Sequence, residues 1–383
     1  MNSKTLKVLL LTDEMLPGGV SRHVIDLANG LNDREVYVMV AATDGPFRNR
    51  LHEHIHFEPL RLLKSNSYDK DILGFPAAFL KLRKIIRQNG VQLIHTHKRY
   101  ADLLGRMLAR DSHIFHLSSC HNTFDNLKLV SVFGDYTIAC SHAVQNNLME
   151  NFHLNAKNLK TIYYGIKPFS EISGTKRIDA YDKFGIPHQK KIISSVGQLI
   201  KTKDRETLLH AIHVLHKMAD LNDIIFIILG DGHLKDHLIR TRNELGLENI
   251  VHFVSGTSDV ELLFNISEFM VLSSVREGFG YVFLEAASLG KPHIATNVGG
   301  VSEAIVHDQT GVLVPPKNPD ALANAMKAFL LHPGMVSTMG ESAKKRFEEK
   351  FEYQRFIDET LGTYRTLLKS PYDENTAVAF GKK

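Results

Sequence analysis

The chain has 383 residues, 43% hydrophobic and 23% charged; that is globular composition, and the length calls for two cores of about 100 to 200 residues each. A formal charge of +4 suits an anionic ligand or an anionic membrane surface and is too small to argue for nucleic acid. No stretch approaches the roughly 20 apolar residues that span a bilayer. The opening "MNSKTLKVLLLTDEM" has too short an apolar run for a secretory signal. A cytoplasmic protein with free thiols at Cys120 and Cys140 is therefore expected.

In chain order, "KVLLLT" reads as a buried strand, followed by a helix in which Val20, Val24, Leu27 and Leu31 recur at helical spacing. "EVYVMVAAT" is a second strand, "FPAAFLKLRKIIRQNG" a helix ended by Gly90, and "VQLIHTH" a further strand. "HEHIHFE" (52–58) and "DKD" (69–71) read as surface. "DYTIACS" and "LKTIYYGI" are short and rich in β-formers. The alternation restarts after residue 190 with "KKIISSVGQ", a helix, "DIIFIILG", a helix, then "IVHFVSG", "EFMVLSS", "KPHIATN" and "GVLVP". Strand alternating with helix predicts an α/β protein with parallel sheets covered on both faces. The expected division is an N-terminal domain over 1–170, a polar linker over 171–189 bounded by Pro168 and Pro187, and a second domain over 190–350. Helical stretches then close the chain, and a loose tail is expected over 370–383.

In doubly wound sheets ligands bind beyond the carboxyl ends of the strands, so residues just after strands carry the functional information. "REGFG" follows "FMVLSS" and precedes a helix. Gly278 and Gly280 would admit a ligand to the main chain, Glu277 would accept bonds from hydroxyls, and Glu285, one to two turns along, suits a ribose diol. Lys203, after "IISSV", has a point charge suited to a leaving phosphate. Gly18 and Gly19, after the first strand, offer close backbone approach. His95 and His97 share a strand face; a metal site needs a third or fourth ligand, and the sequence shows none, so they read as lining a cleft.

Taken together, "LPGGVSRHVIDLANGL", "LIHTHKRYADLLGRMLA", "SSCHNTF", "TIACSHAVQNNL", "IYYGI", "VGQLIKTKDRETLLHAI", "ILGDGHL" and "SSVREGFGYVFLEAASLGKPHIATNVGGVSEAIVHDQTGVLVPP" resemble the family-four retaining glycosyltransferases of the GT-B fold. The resemblance spans nearly the whole chain in order. It implies two doubly wound Rossmann-like domains with parallel sheets facing across a cleft, and a C-terminal helix over about 353–369 that packs back on the first domain. It also implies transfer of a hexose from a nucleotide diphosphate sugar with retention of configuration. Glu277 would hold the transferred sugar, Glu285 the ribose, and Lys203 the diphosphate. The main chain at Gly278, Phe279 and Gly280 would contact sugar and diphosphate, and Gly18 and Gly19 would let the phosphates sit against the first domain. His121 would lie beside the sugar, with His95 and His97 on the acceptor side. No cofactor and no divalent metal would be needed. Two positions depart from the family pattern: Gln198 stands where arginine is usual beside glycine, and Tyr164 where asparagine often precedes Gly165. Without charge at Gln198, the diphosphate would depend on Lys203, Arg205 or helix dipoles.

Other functions remain open on the residues alone. Paired glutamates also occur in glycoside hydrolysis. A nucleotide-sugar epimerase of the same build, or a non-catalytic nucleotide-sugar or glycan-binding protein, would share the donor-site residues. Lys81, Arg83, Lys84 and Arg87 lie on and around one helix, as in basic helices that rest on anionic lipid. The expected partners are thus a nucleotide sugar donor, a glycan or lipid-linked saccharide acceptor, and an anionic membrane surface such as the inner face of the plasma membrane. Polysaccharide or lipopolysaccharide synthesis is the expected setting.

Overall fold

The computed structural model describes residues 5–60, 74–124, 131–256 and 259–369. The "DKD" at 69–71 and the tail at 370–383 lie outside the described residues. The strands are β1 (Lys7–Glu14), β2 (Tyr37–Thr43), β3 (His56–Pro59), β4 (Leu93–His97), β5 (Phe115–Cys120), β6 (Tyr136–Ala139), β7 (Leu159–Thr161), β8 (Lys191–Val196), β9 (Ile224–Leu229), β10 (Val251–Val254), β11 (Ser267–Leu272), β12 (His293–Thr296) and β13 (Gly311–Val314). The helices are α1 (Gly19–Asn32), α2 (Gly74–Asn89), α3 (Arg99–Ser112), α4 (His142–Phe152), α5 (Thr175–Lys183), α6 (Arg205–Met218), α7 (Lys235–Glu244), α8 (Val260–Ile266), α9 (Tyr281–Ser288), α10 (Val301–Ala304), α11 (Pro319–Leu331), α12 (Pro333–Lys350) and α13 (Tyr353–Lys369).

The chain divides into two compact units. The first runs to Tyr164 and resumes at Gln354, and the second runs from Gly165 to Tyr353. In the first unit seven parallel strands lie in the order β3-β2-β1-β4-β5-β6-β7. Leu9, Leu11, Met39 and Ile94 of its sheet pack against Ala78, Leu82 and Ile86 of α2 and Leu104 and Leu108 of α3. Helix α13 belongs mostly to this unit: Arg34 donates to Asp358 at 2.6 Å, and Tyr364 on α13 is fully buried.

In the second unit six parallel strands follow the order β10-β9-β8-β11-β12-β13. β9 reads IIFIIL and is buried throughout, as a central parallel strand covered on both faces must be. Its core joins Ile193, Phe226, Ile228 and Phe269 to Leu208, Ile212 and Leu215 of α6 and to Leu322, Met326 and Phe329 of α11.

The stretch expected to be a linker at 171–189 instead carries α5 and packs on the second unit. Ala180, Tyr181, Phe184 and Ile186 are buried there, so four apolar contacts hold a segment whose composition is otherwise polar. Asn265 fastens its start, accepting from the Ile172 N–H and donating to the Ser170 carbonyl. No helix among the described residues is long and apolar enough to cross a membrane.

Each strand order reverses once: between β1 and β4 in the first unit, and between β8 and β11 in the second. The connections leaving two neighbouring strands at such a reversal run in opposite directions and leave a crevice at the carboxyl ends, where open α/β sheets take their ligands.

Candidate functional site

The β8/β11 reversal gathers the residues that mattered most in the sequence. β8 ends at Val196, and a short 3-10 turn over Lys201–Lys203 leads into α6, capped by the Asp204 side chain. β11 ends at Leu272 and leads through Ser273 and Ser274 to Glu277 and α9. The two loops are stitched together. Val275 N–H donates to the Thr202 carbonyl at 2.9 Å, and the Ser273 hydroxyl reaches the carbonyls of Asp204 at 2.6 Å and Lys203 at 3.3 Å.

Across that seam Lys203 Nζ forms an ion pair with Glu277 Oε1. Ser274 Oγ donates to the same oxygen at 2.9 Å. Glu277 is 5% exposed, while the Lys203 side chain retains 23%. A carboxylate so enclosed is held in one orientation, and the ammonium group has two N–H bonds left for another acceptor. The Glu277 carbonyl accepts from Gly300 N–H at 3.2 Å, and a side chain at Gly299 would collide with that carbonyl.

Arg205 adds a second, hidden cation. It is 1% exposed and donates from Nη2 to the Val196 carbonyl at 2.9 Å; its Nε and Nη1 have no hydrogen-bond partner among the described residues. Burial lowers its pKa to about 10, opposed by the nearby charges of Glu277 and Asp204. Gln198 is exposed on the same loop.

The rest of "REGFG" serves the fold as well. Phe279 is 1% exposed and meets Phe351 edge-on at 5.4 Å, so its ring belongs to the core. Gly280 has φ 98°, and a Cβ there would strike the Phe283 ring; glycine is required at this position by backbone and packing alone. Gly278 is buried beside Glu277. Glu285 is buried on α9, 5% exposed, and its carbonyl accepts from Ser288 Oγ at 2.7 Å.

The first unit has its own assembly at the β1/β4 reversal. Gly18 and Gly19 open α1, and a Cβ at either would meet nothing within 4 Å, so the fold itself does not demand glycine there. Lys98, just past β4, pairs with Glu14 of β1 at 3.0 Å and holds φ 108°, a conformation side-chain-bearing residues rarely adopt. His95 is 1% exposed, with Nδ1 at 2.6 Å from Tyr364 Oη and Nε2 at 2.7 Å from Ser119 Oγ. His97 is fully buried, its Nδ1 3.2 Å from His121 Nε2. His121 is partly buried, and its Nδ1 lies 2.7 Å from Tyr164 Oη. Burial and the neighbouring imidazoles hold His95 and His97 well below the usual 6.5, and burial with Lys98 lowers His121 to about 3, so all three rings are neutral.

The sequence did not single out His23, Ser274 or Lys98. His23 lies on α1 with its ring centroid 4.8 Å from that of His121. It falls three residues after Val20 and four before Leu27, so it shares their helix face, and that spacing was the available signal.

Comparison with known proteins agrees with this geometry. Residues 177–346 match the family model described as "Glycosyl transferases group 1", and residues 17–168 match "Glycosyltransferase Family 4". The chain belongs to these glycosyltransferases. An uncharacterized glycosyltransferase of Methanocaldococcus jannaschii is 28% identical over 95% of this chain and 99% of its own length. The N-acetyl-alpha-D-glucosaminyl L-malate synthase of Bacillus anthracis is 25% identical over 92% of this chain and 94% of its own. Among solved structures, Anabaena HepE in complex with UDP-glucose superposes with a TM-score of 0.82 at 22% identity, covering 94% of this glycosyltransferase and all of HepE (100%). The fold is thus the GT-B fold, built here from the seven- and six-stranded sheets.

Proposed function

We propose that this glycosyltransferase moves a hexose from a nucleotide diphosphate sugar to an acceptor hydroxyl, with the anomeric configuration retained. The observation that carries this is the Lys203–Glu277 pair at the β8/β11 reversal, braced by Ser274. Negative charge grows on the departing diphosphate while the sugar gains oxocarbenium character. The free N–H bonds of Lys203 answer the first, with the Arg205 charge behind them. Glu277 accepts from sugar hydroxyls and fixes the ring. Glu285 holds the ribose, the main chain at 278–280 contacts sugar and diphosphate, and Gly18 and Gly19 admit the phosphates to the backbone of the first unit. His121 lies beside the transferred sugar, and His97 and His95 support it from the acceptor side. In this scheme the leaving phosphate takes the acceptor proton, and neither a cofactor nor a divalent metal takes part in donor binding.

The acceptor is a glycan or lipid-linked saccharide, and the setting is bacterial-type cell-surface polysaccharide or lipopolysaccharide synthesis in the cytoplasm, at the inner face of the membrane. Two relatives that share part of the chain support this: the D-rhamnosyltransferase WbpZ of Pseudomonas aeruginosa, 35% identical over 37% of this chain, and the O-antigen chain mannosyltransferase C of Escherichia coli, 30% over 42%.

The test is turnover. Supplied with nucleotide sugar and acceptor, the enzyme should release nucleotide only when acceptor is present and leave plain oligosaccharides intact. Lys203→Ala and Glu277→Ala should each lower kcat by about 100-fold or more while melting near wild type, as loss of a charge-stabilising contact does. Near wild-type turnover in either variant would refute the assignment, and acceptor-independent conversion of the nucleotide sugar would point to an epimerase.

A further inference from the structure

The carboxyl ends of β4 and β5 and the second turn of α1 bring His97 and His121, which the proposed transfer uses, together with His23, which it does not. His23, His97 and His121 each present a ring nitrogen, and these three atoms lie within 4.8 Å of one another. We propose that His23, His97 and His121 form a binding site for a borderline divalent transition metal such as Zn2+, a three-imidazole site with Tyr164 behind His121.

The spacing fits the chemistry. Zinc–nitrogen bonds of about 2.0–2.1 Å in a tetrahedron set ligand nitrogens about 3.3 Å apart. His97 Nδ1 and His121 Nε2 stand 3.2 Å apart, so two ligands are already at the required separation. Bringing the His23 nitrogen in from at most 4.8 Å asks for a shift of no more than about 1.5 Å. The rings come from three separate elements, α1, β4 and the segment after β5, each fixed by the fold.

A neutral imidazole offers one lone pair, which is what the metal takes from each ring. The hydrogen now shared between His97 Nδ1 and His121 Nε2 must move to the far nitrogen of its ring, so binding needs a change of tautomer and no net loss of protons. With Nε2 on the metal, His121 Nδ1–H donates to Tyr164 Oη, now 2.7 Å away, and this outer bond orients the ring. Neutral nitrogen donors without a carboxylate select zinc, cobalt, nickel or copper over magnesium and calcium. His121 is the least buried of the three and provides the side from which an ion enters and a water completes the fourth position.

The experiment titrates the full-length, chelator-treated protein with Co2+ and follows the visible absorption of four-coordinate cobalt, then displaces it with Zn2+. The expected result is one equivalent of Co2+ with that spectrum, displaced by Zn2+ but not by Mg2+ or Ca2+, and a higher melting temperature with Zn2+. His23→Asn and His97→Gln should each weaken binding by more than about 10-fold, and Tyr164→Phe by about 10-fold while keeping the spectrum. If the two buried substitutions unfold the chain, His121→Gln, at the more open ligand, carries the test and should also lose the spectrum. The chain has 21 histidines, so surface binding is the rival. No tetrahedral cobalt spectrum in the wild type, or equal binding in a folded His121→Gln variant, would overturn the site.

Discussion

At the level of single residues, the two cations and two carboxylates of the proposed donor site differ in how readable they are in the sequence. Glu277 and Lys203 follow strands in a chain whose strands were evident, so their approach to one another at the β8/β11 reversal could be anticipated. Ser274 could not, because a serine after a strand carries no signal until its partner is known. The histidine cluster was half legible: the shared face of His95 and His97 followed from strand geometry, while His23 and His121 join them only through tertiary packing. Asp102 illustrates a residue with a purely physical consequence. Buried on α3, it accepts from Thr96 Oγ1, and burial raises its pKa to about 7 against those hydrogen bonds. An acid whose folded pKa exceeds its unfolded value of 3.8 holds its proton more tightly in the folded state, so its contribution to stability falls as pH rises from about 4 through 7. Asp102→Asn removes that dependence. In urea titrations the variant should gain on the wild type by a few kcal/mol, on the order of what a shift of this size implies, between about pH 5 and pH 8. A stability difference that stays constant over that range would show that the buried carboxyl does not titrate this way.

Among the elements, strands that contain an apolar run are legible in the sequence, while β5 and α5 are not. β9 announces itself as six consecutive apolar residues. β5, FHLSSC, has His116, Ser118 and Ser119 buried in its middle and carries no apolar run to mark it as a strand. Their polarity is absorbed by partners the sequence cannot display, such as Thr96 against His116 Nε2 at 2.9 Å and Ser119 against His95. α5 was hidden for the opposite reason, with its few apolar contacts set in polar surroundings. α2 and α3 pack together and present Leu80, Tyr100, Leu103 and Met107 to solvent beside Lys84 and Arg87. Lys81 pairs with Glu58, and Arg83 and Arg87 pair with Asp111, so part of the basic charge is already neutralised. Exposed apolar side chains among basic ones are what an interfacial surface uses. Vesicles containing anionic lipid should therefore co-sediment the protein at low salt. Binding should weaken as salt rises and on Leu103→Glu. Absence of co-sedimentation at low salt would dismiss the membrane surface.

For the whole molecule, the alternation of strand and helix, interrupted once and then restarted, was enough to foresee two parallel sheets. Their strand orders are not written in the pattern, and it is the reversal in each order that leaves a crevice at the carboxyl ends of the strands. In the second unit the reversal places a buried carboxylate and a half-open ammonium at the carboxyl ends of β8 and β11, with family membership of both halves of the chain in agreement. The proposed transfer requires this site to bind a nucleoside diphosphate first, and a ligand that binds only the folded chain raises its melting temperature by mass action. The decisive measurement is a thermal-shift panel of uridine, guanosine and adenosine diphosphates and their sugars against the wild type and Lys203→Ala. One base should stabilise the wild type clearly more than the others, and the shift should largely vanish in the variant. A wild type indifferent to every nucleotide, or a shift that survives intact without Lys203, would contradict the donor site described for this chain.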